Sequence, residues 1–261
     1  MSPFVLPLAF IALLFATLVF LNERYGLLRA VDHFPAPAYK YAAYVWLALF
    51  LLLLGYAITA SAMRPATATD LERVSFISLF SLHIILVLFL FGWWLLTGRP
   101  RLAEYLSVHR GRTGELVMAG FAIGVGGWVI TIVMAVIVGL IISATGLMPK
   151  APEPPPMIAW MAALPMWKKA LIVLSAMTVE EAFFRGWLQK RIGLIASTVL
   201  FALAHSGLGQ PLLLIGVTMI SLVIGFAFYR TKNLIPGIIA HGVFDAIQLF
   251  VIIPIAFKTV L

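Results

Sequence analysis

Apolar runs close to bilayer length recur along this 261-residue chain. A hydrocarbon layer of about 30 Å is crossed by about 20 apolar residues in a helix, because every backbone N–H and C=O inside it must be paired within the segment. Eight such runs are read from the sequence, at residues 3–21, 41–62, 74–97, 116–145, 169–189, 194–205, 211–229 and 234–257. They predict an all-α fold, a multipass membrane helical bundle of about eight transmembrane helices. Composition agrees, with 63% hydrophobic and 11% charged residues, against about 25% charged in soluble domains. The sixth run has only twelve residues. It is expected to tilt, to extend past His205, or to lie inside the bundle where water reaches it. The first run lacks a basic leader and is followed by Asn22, Glu23 and Arg24, so a retained helix is expected there.

The formal charge of +8 comes from lysines and arginines scattered over short loops, which argues against a nucleic-acid module. If the runs alternate in direction, the loops after the odd-numbered runs carry 11 Lys and Arg and the opposite side 6. That asymmetry places the odd-numbered loops in the cytoplasm and both termini outside. Arg99, Arg101, Arg110 and Arg112 read as an anchor near anionic lipid. Cysteine is absent, which excludes disulfides, thiolate metal sites and cysteine nucleophiles.

Residues 149–156 read PKAPEPPP, a stretch that cannot continue a helix. It divides an N-terminal four-helix membrane region, 1–148, from a catalytic core, 157–257. The core opens on MIAWMAALPMWKKA, whose tryptophans and lysines suit the headgroup level and whose helical pattern Pro165 interrupts. Gly120, Gly124, Gly126 and Gly127 form a small-residue face that admits a neighbouring helix. His83 stands alone in its run and is read as a hydrogen-bonded packing residue outside any site. His33 and His109 fall in loops.

Ionisable side chains inside the later runs need a reason, since each costs about 2.5–3.5 kcal/mol at mid-bilayer depth. They come in three fragments: Glu180, Glu181 and Arg185; Phe201 and His205; His241 and Asp245. Positions four apart share a helical face, which pairs Glu181 with Arg185 and His241 with Asp245. Glu180 is rotated about 100° away and must find partners on other helices, with His205, His241 and Asp245 available. A carboxylate and an imidazole converging on one water make a general base, and a second imidazole can stabilise an oxyanion. Ser175, Thr178 and Ser206 belong to no nucleophile motif, and no HExxH is present. Glu180, His205, His241 and Asp245 could hold a divalent metal such as zinc only if they converge. No cofactor is otherwise expected.

At these residues the chain resembles the CAAX-protease and bacteriocin-processing family (CPBP, or Abi) of intramembrane proteases, whose pattern is EExxxR, then FxxxH, then HxxxN or HxxxD. The fragments stand in that order over roughly 65 residues, and the resemblance covers about 165–257. It implies an eight-helix fold and a glutamate-dependent endopeptidase with a cavity open toward the cytosol. It also implies Glu180 as the base, assisted by His205, with His241 and Asp245 polarising the scissile carbonyl and Glu181 and Arg185 supporting Glu180. Asp245 stands where prenyl-protein enzymes tend to have Asn; the preferred account is that it bonds His241 and favours the imidazolium. Expected partners are a membrane-associated peptide or protein substrate and the lipid bilayer, with no nucleic acid. The expected location is a prokaryotic cytoplasmic membrane. The competing readings are a noncatalytic immunity or scaffold protein and a proton-coupled transporter, for which no inverted repeat is seen.

Overall fold

The computed structural model describes residues 4–26, 31–63, 68–109, 111–146, 156–205 and 211–258. The proline-dense boundary, except for Pro156, lies outside the described residues, as do Arg110 and Ser206. Every regular element among the described residues is helical. In order they are α1 (Val5–Tyr25), α2 (Pro37–Met63), α3 (Ala68–Arg73), α4 (Ser81–Leu96), α5 (Leu102–Tyr105), α6 (Thr113–Ala144), α7 (Pro156–Ala163), α8 (Met166–Ser175), α9 (Lys190–Ala204), α10 (Pro211–Thr231), α11 (Leu234–Ile247) and α12 (Ile253–Lys258). π-helical turns at Ala176–Glu180 and Ala182–Gln189 join α8 to α9, and another at Gln248–Ile252 joins α11 to α12. The protein is an all-α, multipass membrane bundle.

Among the described residues, seven helices are long and apolar enough to cross a bilayer, where the sequence predicted about eight. The difference lies at one residue. Met166–Ala204 runs for 39 residues, about 58 Å at 1.5 Å per residue and nearly twice the hydrocarbon thickness. Gly193 resolves the excess length with φ 83° and ψ 175°, a conformation almost confined to glycine. The chain folds back there into a helical hairpin. Ser197 Oγ donates to the Phe184 carbonyl at 3.0 Å, and the Phe184 and Phe201 rings meet at 4.8 Å. The returning arm, residues 194–204, spans about 16 Å. It is about half the hydrocarbon thickness in length and brings His205 beside Glu180.

Replacing Gly193 by Ala should therefore cost about 1–3 kcal/mol. Nothing lies within 4 Å of where its Cβ would stand, so the whole cost is backbone conformation. Denaturant unfolding in detergent measures it; an unchanged stability would show that the turn tolerates an L-residue.

The glycine face of α6 is filled at three of its four predicted positions, with nothing within 4 Å of a Cβ on Gly126. A Cβ on Gly120 would meet Ile239 and the Pro236 carbonyl, and one on Gly124 would stand 2.8 Å from the Ala240 carbonyl, so α6 and α11 touch nearly backbone to backbone. Gly127 admits Ile220 of α10 in the same way. By contrast α1 buries none of its residues and is tied to α2 by Glu23, which pairs with Lys40 and accepts from Tyr44.

One end of the bundle gathers the loops that the charge count grouped together. Arg191 and Trp93 both hold Asp32, Lys190 donates to the Tyr105 carbonyl and to Ser107, and Asn233 donates to the His109 carbonyl. Tyr105 donates to the Leu90 carbonyl, and burial pushes its phenol up from the ordinary range. At the other end, Pro165 separates α7 from α8, and the Lys168 ammonium lies over the rings of Phe76 and Trp167 at 5.4 and 5.5 Å. Between the ends, Phe89, Trp93, Phe183, Phe184, Trp187 and Phe201 form a buried aromatic layer.

Candidate functional site

Two adjacent glutamates divide the polar groups of the bundle between them. Glu180 closes one π-helical turn and Glu181 precedes the next, so their side chains leave the helix toward different neighbours. Glu180 faces α4 and the end of the hairpin: its Oε1 lies 3.1 Å from His83 Nε2, and its Oε2 lies 3.8 Å from His205 Nε2. Glu181 faces α11. Its Oε1 lies 2.9 Å from His241 Nδ1, and its Oε2 lies 3.3 Å from Arg185 Nε.

The second network is dry. Glu181 and Arg185 are 0% and 1% exposed, and Arg185 also donates to the Ser221 carbonyl and hydroxyl at 3.2 and 3.1 Å while lying over the Phe201 ring at 4.7 Å. His241 is held between two carboxylates, since its Nε2 is 3.4 Å from Asp245 Oδ2. That separation exceeds the usual 2.7–3.2 Å, which leaves an N–H there free to turn to another acceptor.

The first network is partly open. His205 is 28% exposed, and its Nδ1 is engaged with the Phe201 carbonyl at 2.9 Å, so Nε2 is the nitrogen turned toward Glu180. Oε2 of Glu180 is buried and has no hydrogen-bond partner among the described residues. Phe201 spans the two networks, stacking on His205 at 4.5 Å and meeting His241 edge-on at 6.0 Å.

All six sequence-predicted residues thus lie together, with Glu181 beside Arg185, His241 beside Asp245 and Glu180 near His205 as expected. Glu181 hydrogen-bonds His241 and forms an ion pair with Arg185; Glu180 takes His205 together with a residue that the sequence pattern leaves outside the site. That residue is His83, whose Nδ1 also lies 2.7 Å from Ser175 Oγ. A lone histidine in an apolar run carries no local pattern. Its only signal was the cost of placing an imidazole in a membrane helix. Among the described residues, no three His, Cys, Asp or Glu side chains converge as metal ligands.

The aromatic layer lies between this cluster and the basic loops. Phe89, Phe183, Phe184 and Trp187 of this layer are buried and packed together on the side of the cluster toward Arg191 and Asp32. An open apolar groove of about 280 Å³ instead reaches the cluster from the side, between α4 and α8, lined by Phe80, His83, Ile84, Val87, Leu88, Ser175 and Val179.

Residues 162–247 match the family model described as Type II CAAX prenyl endopeptidase Rce1-like, about a third of the chain. A Bacillus subtilis (strain 168) protein described as uncharacterized protein YpbD is 42% identical over 69 residues, which are 26% of this chain and 36% of that protein. The match spans about a third of the length of that curated relative. No solved structure matches the chain. The segment 162–247, which carries all three motifs on one hairpin and the helix packed against it, is thus similar to the Rce1-like CAAX prenyl endopeptidases.

Proposed function

We propose that this protein is an intramembrane endopeptidase that hydrolyses a peptide bond with water activated by Glu180 and His205. The observation that carries the proposal is the Oε2 atom of Glu180, buried, without a hydrogen-bond partner among the described residues, and 3.8 Å from His205 Nε2. A water between these atoms gives its proton to Oε2 as its oxygen attacks the scissile carbonyl. The Nε2–H of the His241 imidazolium, loosely held by Asp245, is shared with the developing oxyanion, while Glu181 keeps the ring in place. Collapse of the tetrahedral centre breaks the C–N bond, and the proton held by Glu180 passes to the leaving amine. The products are a carboxylic acid and an amine, which leave as carboxylate and ammonium after the acid's proton passes to the amine, with no covalent enzyme intermediate. Asp245 acts through His241, which removes the difficulty of a carboxylate beside an oxyanion.

The proposed substrates are membrane-associated peptides or proteins, CAAX-like ones among them. The groove between α4 and α8 supports this, since its apolar lining suits a lipid anchor entering from the hydrocarbon layer. A prokaryotic cytoplasmic membrane is the proposed location, and the proposed chemistry uses no metal.

The test incubates purified protein with farnesylated CAAX peptides and their unlipidated counterparts, with and without chelator, and reads products by mass spectrometry. Cleavage that is unchanged in chelator is expected. Activity lost to chelator and restored by zinc would overturn the metal-free chemistry. An intact peptide set would favour the noncatalytic membrane role.

A further inference from the structure

We infer that His83, steadied by Ser175, is a positioning residue for the Glu180 carboxylate, so that the reactive centre extends onto α4, outside the family segment. This rests on the proposed role of Glu180 as the water-activating base. The two oxygens of that carboxylate are in different situations: Oε1 is 3.1 Å from His83 Nε2, and Oε2 has no hydrogen-bond partner among the described residues. The terminal torsion of a glutamate is broad and nearly two-fold, so an untethered carboxylate presents either oxygen. His83 removes that choice. With Oε1 held, Oε2 is the atom left facing His205.

Hydrogen-bond chemistry fixes the roles along the chain of three residues. A carboxylate only accepts, so His83 must present Nε2–H to Oε1. In the neutral ring Nδ1 then accepts, and the Ser175 hydroxyl at 2.7 Å donates to it. A hydroxyl can also accept, so the same serine stays bonded if the ring gains a proton.

The backbone is shaped for this contact. Ser175 and Glu180 are five residues apart, which in an α-helix would leave them about 140° out of register. The turn between them, Ala176–Glu180, is π-helical, with i→i+5 bonding, and it sets both side chains against the same ring on α4. His83 and Ser175 also line the inner wall of the lateral groove, so the contact stands where a substrate chain would enter.

The alternative for the same atoms is a serine nucleophile with His83 as base and Glu180 as the orienting acid. The variants separate the two. His83→Phe is expected to lower kcat about 10- to 100-fold with KM within about twofold. His83→Gln, which keeps an N–H for Oε1, should recover to within about fivefold of wild type. Ser175→Ala should lose less than about tenfold. Ser175→Ala as inactive as Glu180→Gln would overturn the inference in favour of the nucleophile. An unaltered His83→Phe, or a change in KM alone, would overturn it in favour of packing or substrate contact.

A second measurement holds whether or not any peptide is cleaved. The chain has five histidines, so ¹⁵N-histidine NMR can assign His83 by its loss in His83→Gln. Its Nε2–H signal should move in Glu180→Gln and its Nδ1 signal in Ser175→Ala. Signals indifferent to both substitutions would overturn the inference even if the wild type proves to be a peptidase.

Discussion

Glu180→Gln should abolish nearly all peptide cleavage, lowering kcat by about 10²–10⁴-fold, the usual contribution of a positioned base. The amide has the shape of the carboxylate and can still accept from His83 through its carbonyl oxygen. It cannot take a proton from water. Stability should hold or rise, because a charge in a buried position costs free energy that an amide does not. The comparison to make is kcat for both proteins on the same farnesylated peptide, with thermal unfolding in detergent as the control for folding. A variant that unfolds at the wild-type temperature and still cleaves would remove Glu180 from the chemistry. A binding or scaffold role should survive the change, so partner retention in the variant would argue for that role.

Arg185→Leu should be among the most destabilising single changes, costing about 3–5 kcal/mol. The guanidinium is 1% exposed and holds three things at once: the Glu181 carboxylate, the Ser221 carbonyl and hydroxyl, and the face of Phe201. Its removal leaves Glu181, 0% exposed, with His241 as its remaining partner. Most of the loss comes from that stranded charge, which predicts strong coupling to the partner. Arg185→Leu with Glu181→Gln should recover a large part of the deficit, whereas independent sites would add their costs. Denaturant unfolding of the two single variants and the double variant gives the coupling. A single variant within about 1 kcal/mol of wild type would mean that the pair is solvated in the membrane.

Motif spacing made half of this site legible. The pairs four apart on one helix, Glu181 with Arg185 and His241 with Asp245, followed from helical geometry, as did the divergence of Glu180 from Glu181. Contacts between helices were harder. Sequence spacing says that Glu180 needs an outside partner but not which one, and the answer depends on a hairpin whose turn rests on Gly193. Reading residues 169–189 and 194–205 as two spans was reasonable from polarity, because Lys190 and Arg191 interrupt the run; the short arm is only about half the hydrocarbon thickness in length. The π-helical turns left no mark in the sequence. His83 was passed over because nothing near it in the chain is polar enough to suggest company, and its partners lie 92 and 97 residues away.

The aromatic layer has an effect unrelated to bond cleavage. Water that reached a site among membrane helices from one side would leak protons if it threaded onward to the opposite face. Phe89, Trp93, Phe183 and Trp187 interlock across that route with ring centroids 4.8–5.9 Å apart. Apolar rings packed this closely leave no wire of water for protons to hop along. Such a layer would keep water that reached Glu180 from passing on to the Arg191 end of the bundle.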